Sequence, residues 1–538
     1  MATSERKAPL KKRAVAGSFL FKIPNGDVKQ AKVALFRRSS KVRTYHVEEH
    51  DSSPLDAALR EIREETALPA SSLDLLRIGK PYSFIDESIG REWSINPFAF
   101  RLKDVSEGGK GEEGITLDWE HEGIEWFDPM QVNGSDEFGG VPRLVDSLRR
   151  VWPEYDLGPE AGRLLTEGLQ KLHDDQYDIP TLFISFLRKF SDPIVPVEHG
   201  ARELTGMAVS TLQDVIRQIS LSDPIDESWW LKVCMVAWHI CYARPSMNAA
   251  IISAMVKALG FIRAVYLSEM VAAADKTQKI LQVLDQQLSK RNSMTDLICQ
   301  SFIDYVRLNI LRDGKSKQTV SILTLSSSST ISNCLSQVVS SLGVALDMRV
   351  LESRPLFEGV SSASRMLQDN HNSSDLKVTL YSDASVALAA HGIDLVLLGA
   401  DRISSSGDVS NKIGSLPAVL SARYVTPNAK VLVLSDTEKI AGPGSMEEHD
   451  SEENSSSELS RAWEGTVQGA QVIKNASSRD DPRVVVKNTY FEWVSAGLID
   501  TYVTEEGLLS KEQIQQKSEW INNEYKRFFE DSDDDTLP

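Results

Sequence analysis

Ile393-Asp394-Leu395-Val396-Leu397-Leu398-Gly399-Ala400-Asp401-Arg402-Ile403 joins a nearly unbroken apolar run to a glycine and an acid. Without polar alternation such a run predicts a strand covered on both faces, as in a parallel sheet, and the residues after it stand at the strand's carboxyl end. Similar runs lie on either side: Val320 to Leu325, Met348 to Glu352, Leu376 to Tyr381, Lys430 to Leu434 and Ile499 to Val503, each followed by a helical stretch. Strands alternating with helices predict a doubly wound, Rossmann-like α/β domain, which binds ligands at the carboxyl ends of its strands.

Outward from this core the texture changes. Residues 200 to 312 have few glycines and no alternating runs, which predicts a helical subdomain. Residues 15 to 130 read as α+β: strands at Gly17 to Lys22, Ala31 to Arg37, Glu92 to Leu102 and Gly123 to Phe127, and a helix from Pro54. The expected division is an α+β domain over 1–155, a helical connector over 156–194, a helical subdomain over 195–312 and the parallel-sheet domain over 313–525. Two acidic, serine-rich or charged stretches cannot bury a core: 442–460 is expected as a disordered insertion and 526–538 as an acidic tail.

The chain has 538 residues, too many for one packed core, and 59 Lys and Arg against 77 Asp and Glu give a net charge of -18. That balance disfavours nucleic-acid backbones as partners. Four scattered cysteines without a CxxC support neither a zinc knuckle nor a disulfide scaffold, and a reducing, cytoplasmic setting is expected. The basic start is too short-cored for a signal peptide, and Trp229 to Ala243, broken by Lys232 and His239, falls short of a membrane span.

Two constellations carry chemistry. In a helix capped by Ser53 and started by Pro54, Glu61, Glu64 and Glu65 share one face. Clustered carboxylates suit Mg²⁺ or Mn²⁺, although an exposed charged face with Arg60 and Glu64 as an i,i+4 pair has the same pattern. In the parallel-sheet domain, Ser326 to Thr330 bring hydroxyls to a helix start, where anions bind but serines also serve as ordinary caps. Asp401 at a strand's carboxyl end can exchange protons with a sugar or cap a turn, and Asn411 and Lys412 can hold hydroxyl and phosphate oxygens.

Arg60-Glu61-Ile62-Arg63-Glu64-Glu65-Thr66-Ala67-Leu68 resembles the end of the Nudix box, and residues 15 to 130 resemble that family's domain. The resemblance implies a divalent metal held by Glu61, Glu64 and Glu65, with Arg60 orienting a glutamate, for hydrolysis of nucleoside diphosphate derivatives. Counting back from Arg60 puts Ser52 where the box has Glu and His46 where it has Gly, so the glycine loop is missing and the domain is expected to be degenerate.

Five patches resemble a second family, which unites the alpha, beta and delta subunits of translation initiation factor 2B with methylthioribose-1-phosphate and ribose-1,5-bisphosphate isomerases. They are Ala243 to Asn248, Ile322 to Thr324, Glu352 to Gly359, Gly399 to Gly414 and Leu498 to Thr504. The resemblance implies Asp401 as an acid, Asn411 and Lys412 as substrate contacts and Arg244 on a phosphate. It also puts Ser326 at the isomerases' catalytic cysteine, His199 at a phosphate-binding arginine and Glu358 at a glutamine. The expected function is binding or sensing of a sugar phosphate or nucleotide, with oligomeric assembly through this domain. The alternatives are an active Nudix hydrolase and an aldose-ketose isomerase.

Overall fold

The computed structural model describes residues 11–24, 28–38, 51, 53–86, 90–135, 138, 143–174, 201–244, 248–311, 319–369, 375–442, 454, 456–463, 467–477 and 483–530. In the N-terminal domain, strand β1 (Lys11–Lys22) sits between two helices. Its Ala16 and Leu20 pack with Ala57, Ala58 and Ile62 of α1 (Pro54–Thr66), while Phe19 and Phe21 pack with Leu148 and Val151 of α2 (Leu144–Val151). Successive side chains of a strand point to opposite faces, so covering both faces makes adjacent residues apolar. β2 is Lys32–Arg38, β3 Leu73–Ile78, β4 Tyr82–Asp86, β5 Arg91–Leu102 and β6 His121–Phe127, and the sheet runs β3-β5-β1-β2-β6 with β4 on β5. β1 and β5 are parallel. Ser53 caps α1 through Asp56 N and Pro54 opens it, as the sequence predicts.

Helix α3 (Glu154–Asp174) ties this domain to the next. Arg77 of β3 reaches Glu154 with two hydrogen bonds of 2.7 and 2.6 Å and Thr166 with one of 2.9 Å, and the ion pair is buried. α3 packs on α4 (Ala201–Ile219) so closely that a Cβ on Gly168 would lie 2.2 Å from Thr211. Trp238 of α5 (Glu227–Cys241) donates to the Ile78 carbonyl at 3.0 Å. The expected connector, from 156 on, is thus packed helix as far as Asp174 apart from a break at Gly158 (φ 75°), and 175–200 lie outside the described residues.

α6 (Asn248–Tyr266) and the long α7 (Ala273–Tyr305) complete the helical subdomain. Among the described residues α6 alone is long and apolar enough to cross a membrane, and 61% of its apolar window is buried in the core.

The C-terminal sheet contains β7 (Thr319–Thr324), β8 (Ala345–Leu351), β9 (Leu376–Tyr381), β10 (Leu395–Leu398), β13 (Lys430–Leu434), β15 (Thr501–Thr504) and β16 (Gly507–Leu509), in the order β16-β15-β13-β10-β7-β8-β9. All neighbours are parallel except β15 and β16. Leu323, Val396, Leu398 and Val433 join the core shared with the helical subdomain, whereas Ile322, Leu395, Leu397 and Leu432 join the core under the end of α7 and α8 (Ser329–Leu342). Further helices are α9 (Glu358–Asp369), α10 (Val386–Ala389) and α11 (Ser415–Val425). A small antiparallel sheet of β11 (Arg402–Ile403), β12 (Val409–Lys412) and β14 (Phe491–Val494) was not expected from the sequence, and it carries Asn411 and Lys412.

Two boundaries change. The insertion expected to be disordered over 442–460 includes helix α12 (Ser456–Arg461), whose Glu458 accepts hydrogen bonds from Asn488 at 2.8 Å and from the Tyr490 hydroxyl, while 443–453 lie outside the described residues. α13 (Ala470–Ser477) follows it. The acidic tail cannot begin at 526, because α14 (Lys511–Phe529) continues to Phe529 and buries Phe528 and Phe529 against Trp230 and Trp238.

Removing one partner from the buried Arg77–Glu154 pair strands a charge in the domain junction. Glu154→Ala is therefore expected to cost about 3–5 kcal/mol in urea unfolding of the full chain, and Arg77→Met with Glu154→Leu to recover most of that loss.

Candidate functional site

Strands β7, β8 and β10 end on one edge of the parallel sheet, and the loops 325–328, 353–357 and 399–401 meet there. Ser326 (φ 64°), Ser353 (φ 61°) and Phe357 (φ 57°) all adopt the left-handed conformation that non-glycine residues avoid at a cost of roughly 1–2 kcal/mol each. The surroundings impose it. Ser353 Oγ accepts from Ser326 N at 2.7 Å and donates to Leu351 O at 3.0 Å, and the Asp383 carboxylate accepts from the backbone N–H of Ser353 and Arg354 at 2.9 and 2.8 Å. A Cβ on Gly359 would lie 1.8 Å from Leu351 O, so the first turn of α9 can approach β8 only through glycine.

That approach puts Glu358 at the centre of the cluster. Its Oε2 accepts from the Ser326 hydroxyl at 3.2 Å and its Oε1 lies 3.4 Å from Lys412 Nζ. The Lys412 ammonium also faces the rings of Tyr490 and Phe491, 5.0 and 4.7 Å from their centroids. A narrow cleft opens beside these groups, lined by Ser353, Arg354, Pro355, Leu356, Lys412 and Tyr490.

Asn411 is buried next to Lys412 and donates to Ser415 Oγ at 2.8 Å. A Cβ on Gly399 would lie 3.5 Å from Asn411 Oδ1 and 3.9 Å from Ser328 Oγ, which shows how closely the β10 loop, β12 and the serine loop converge. Ser328 caps α8 through Ile331 N, so the serine loop spends one hydroxyl on its own helix. Asp401 is half-buried, its backbone N–H is bonded to Ser410 O at 2.9 Å, and among the described residues its carboxylate accepts no hydrogen bond and joins no ion pair. Arg244 is buried just after α5, immediately before 245–247, and His199 lies outside the described residues. The structure thus brings Ser326, Glu358 and Lys412 into contact, with Asn411 alongside.

Several contributors were not singled out from the sequence. Ser353 and Asp383 shape the loops, and Tyr490 and Phe491 cover Lys412. Glu492 accepts from the backbone N–H of Gly414 and Leu416 at 2.6 and 3.0 Å and so closes the start of α11, although burial pushes its carboxyl above the usual range. Only the three non-glycine left-handed residues mark the place locally, and backbone sign cannot be read from Ser or Phe.

In the N-terminal domain, Arg60 holds the acidic face of α1 together. It grips Asp51 with hydrogen bonds of 3.0 and 2.9 Å, bonds Glu64 at 2.9 Å and lies 3.6 Å from Glu61. Asp51 lies one position before Ser52, where counting back along the box expects a carboxylate. Burial, and next the charge of Glu65, push the Glu61 carboxyl up to about 8. The oxygens are of the type a hard cation takes. Their arrangement does not form a cage: among the described residues no three His, Cys, Asp or Glu are grouped to hold a metal ion.

A doubly wound sheet with polar loops at its carboxyl ends, joined to a helical subdomain, defines a doubly wound α/β class. The chain belongs to the initiation factor 2 subunit family, which it matches over residues 197–511, and it carries a NUDIX domain over residues 25–152. Among curated relatives, methylthioribose-1-phosphate isomerase of Rhodopirellula baltica is 30% identical over 172 residues, 31% of this chain and 44% of that protein. Ribose 1,5-bisphosphate isomerase of Haloferax volcanii is 28% identical over 215 residues, 40% of this chain and 59% of that protein. The chain thus spans about half the length of these relatives. Among solved structures, the tetrameric eIF2B-beta2-delta2 complex from C. thermophilum matches with a TM-score of 0.45 at 13% identity, covering 68% of this chain and 96% of that one. Translation initiation factor eIF-2B of Pyrococcus horikoshii OT3 matches with a TM-score of 0.41 at 18% identity, covering 65% and 97%.

A metal on α1 must displace the Glu61 proton, since metal ligands bind deprotonated. With that carboxyl near 8, Mn²⁺ affinity of the full chain is expected to rise roughly tenfold from pH 6 to pH 7 and to level off above pH 8. Electron paramagnetic resonance titration checks this, and Glu61→Gln should weaken binding and flatten its pH dependence.

Proposed function

We propose that the C-terminal domain binds a phosphorylated sugar or a nucleotide as a regulatory or sensing module and does not turn it over, with the Nudix domain as its fused companion. The observation that carries this reading is the Glu358 carboxylate bridging the Ser326 hydroxyl and the Lys412 ammonium. Lys412 offers a phosphate a cationic partner, and the Asn411 amide lies beside it. Glu358 is an internal anion that a ligand phosphate must displace from Lys412, so occupancy and a local rearrangement are linked, which suits a sensor.

Catalysis fares worse at the same place. Aldose-ketose isomerisation needs a group that gives and takes a proton near neutral pH. Asp401, with its carboxylate uncommitted, can do half of this. Ser326, at the position where the resemblance to the isomerases has cysteine, already donates its proton to Glu358, and a serine hydroxyl is a far weaker acid than a thiol. The names of the curated relatives support the class of ligand, a phosphorylated pentose, more than the reaction.

A second reading gives the NUDIX domain its own ligand, a nucleoside diphosphate derivative with Mg²⁺ or Mn²⁺ on Glu61, Glu64 and Glu65. The shared acidic face supports it, and the hold of Arg60 on Glu64 and Asp51 argues for weak metal binding and slow hydrolysis. Assembly through the C-terminal domain, with a second copy or initiation-factor-like subunits, and a cytoplasmic location fit the same reading. The four buried cysteines, none in a disulfide, accord with a reducing compartment.

Calorimetry of the full chain with AMP, ribose 5-phosphate and ribose 1,5-bisphosphate tests the reading. Lys412→Ala should weaken the binding ligand roughly ten- to a hundredfold, the worth of a charge-assisted phosphate contact of about 1.5–3 kcal/mol. Glu358→Gln should tighten it by up to about fivefold, since a partly exposed ion pair is worth about 1 kcal/mol or less. Binding that ignores both substitutions would remove the pocket from the account. The wild type is expected to form no ketose product from either isomerase substrate, and product that disappears in Asp401→Asn would restore the isomerase reading.

A further inference from the structure

Cys299 on α7 and Cys334 on α8 lie with their sulfurs 3.0 Å apart, and no disulfide joins them. Both are fully buried, among Phe302, Ile331 and Leu335 in the core beneath the parallel sheet. Buried cysteines often serve as small apolar side chains, and Cys234 and Cys241 on α5 fit that role. The Cys299–Cys334 spacing is different. The Cys334 thiol donates a hydrogen bond to Cys299 Sγ, which holds the sulfurs closer than the about 3.5–4.0 Å at which packed carbon atoms settle. A disulfide bond of about 2.05 Å requires only about 1 Å of further approach.

We propose that Cys299 and Cys334 form an oxidisable dithiol, a site of two-electron modification by hydroperoxides. When local opening of the α7–α8 contact admits a hydroperoxide, one sulfur attacks it, so that an S–O bond forms, the O–O bond breaks, and water, or an alcohol from an organic hydroperoxide, leaves with the thiol's proton. The second sulfur then attacks the sulfenic sulfur: the S–S bond forms, the S–O bond breaks, and water leaves with the second thiol's proton. Two electrons pass from the thiols to the peroxide, and an added dithiol returns them. The cross-link ties α8 to α7, and α8 starts at the serine loop 326–328, so oxidation fixes the element from which that loop hangs.

The test treats the full chain, native, with hydrogen peroxide, blocks remaining thiols and maps peptides without reductant. A 299–334 disulfide is expected, lost on adding dithiothreitol and accompanied by a rise in thermal midpoint on the order of 5 °C. Cys299→Ser and Cys334→Ala should each abolish the linkage, while Cys234→Ser and Cys241→Ser keep it. The wild-type peptide map stands alone if a core variant fails to fold. In urea the same oxidant should give mixed pairings. Native protein whose thiols 299 and 334 stay unreacted, go on to sulfinic acid, or pair no more selectively than in urea would overturn the proposal.

Discussion

The middle strands β7, β10 and β13 of the C-terminal sheet are covered on both faces, and that constraint decides where polar chemistry can go. Ile322, Leu323, Leu395 to Leu398 and Val431 to Leu434 have no solvent side, so a charge within them would be buried without a partner. Charged and hydroxylated residues collect instead where the chain leaves the sheet. Because neighbouring strands run parallel, their carboxyl ends share one edge, and residues distant in sequence, such as Ser326, Glu358 and Lys412, become neighbours.

At that edge the loops are held in shapes they would not adopt alone. Asp383 fixes the backbone of Ser353 and Arg354, Ser353 fixes Ser326, and Gly359 lets α9 bring Glu358 over both. The strain of the left-handed backbone at Ser326 and Ser353 is offset by these hydrogen bonds, an arrangement found where geometry matters more than local stability. The resulting pocket carries its own counter-ion, which in the proposed reading separates binding from turnover. A cation already paired with a carboxylate can accept a phosphate by exchange, whereas a serine that shares the same carboxylate gains no acidity from it.

Much of this was legible in the chain. Unbroken apolar runs revealed the parallel strands because burial on both faces leaves composition no freedom, and the Ser53-Pro54 start of α1 was legible because caps act locally. The sheet of β11, β12 and β14 was not, since β11 has two residues and β12 and β14 four each, and their pairing joins segments about eighty residues apart. Motif order pointed to Ser326, Glu358, Asn411 and Lys412, but not to the Ser326 hydroxyl sharing the carboxylate of Glu358. Nor did Asp51 stand out, because strict counting placed the carboxylate at Ser52, and only the two hydrogen bonds to Arg60 reveal its role. The end of α14 was misjudged from charge alone, when Phe528 and Phe529 carry it into the core.

A crystal structure of the full chain soaked with AMP or ribose 1,5-bisphosphate should show a phosphate oxygen within hydrogen-bonding distance of Lys412 Nζ and the Glu358 carboxylate turned away from it. A phosphate bound elsewhere, with Glu358 still on Lys412 and Ser326, would contradict the exchange of carboxylate for phosphate on Lys412.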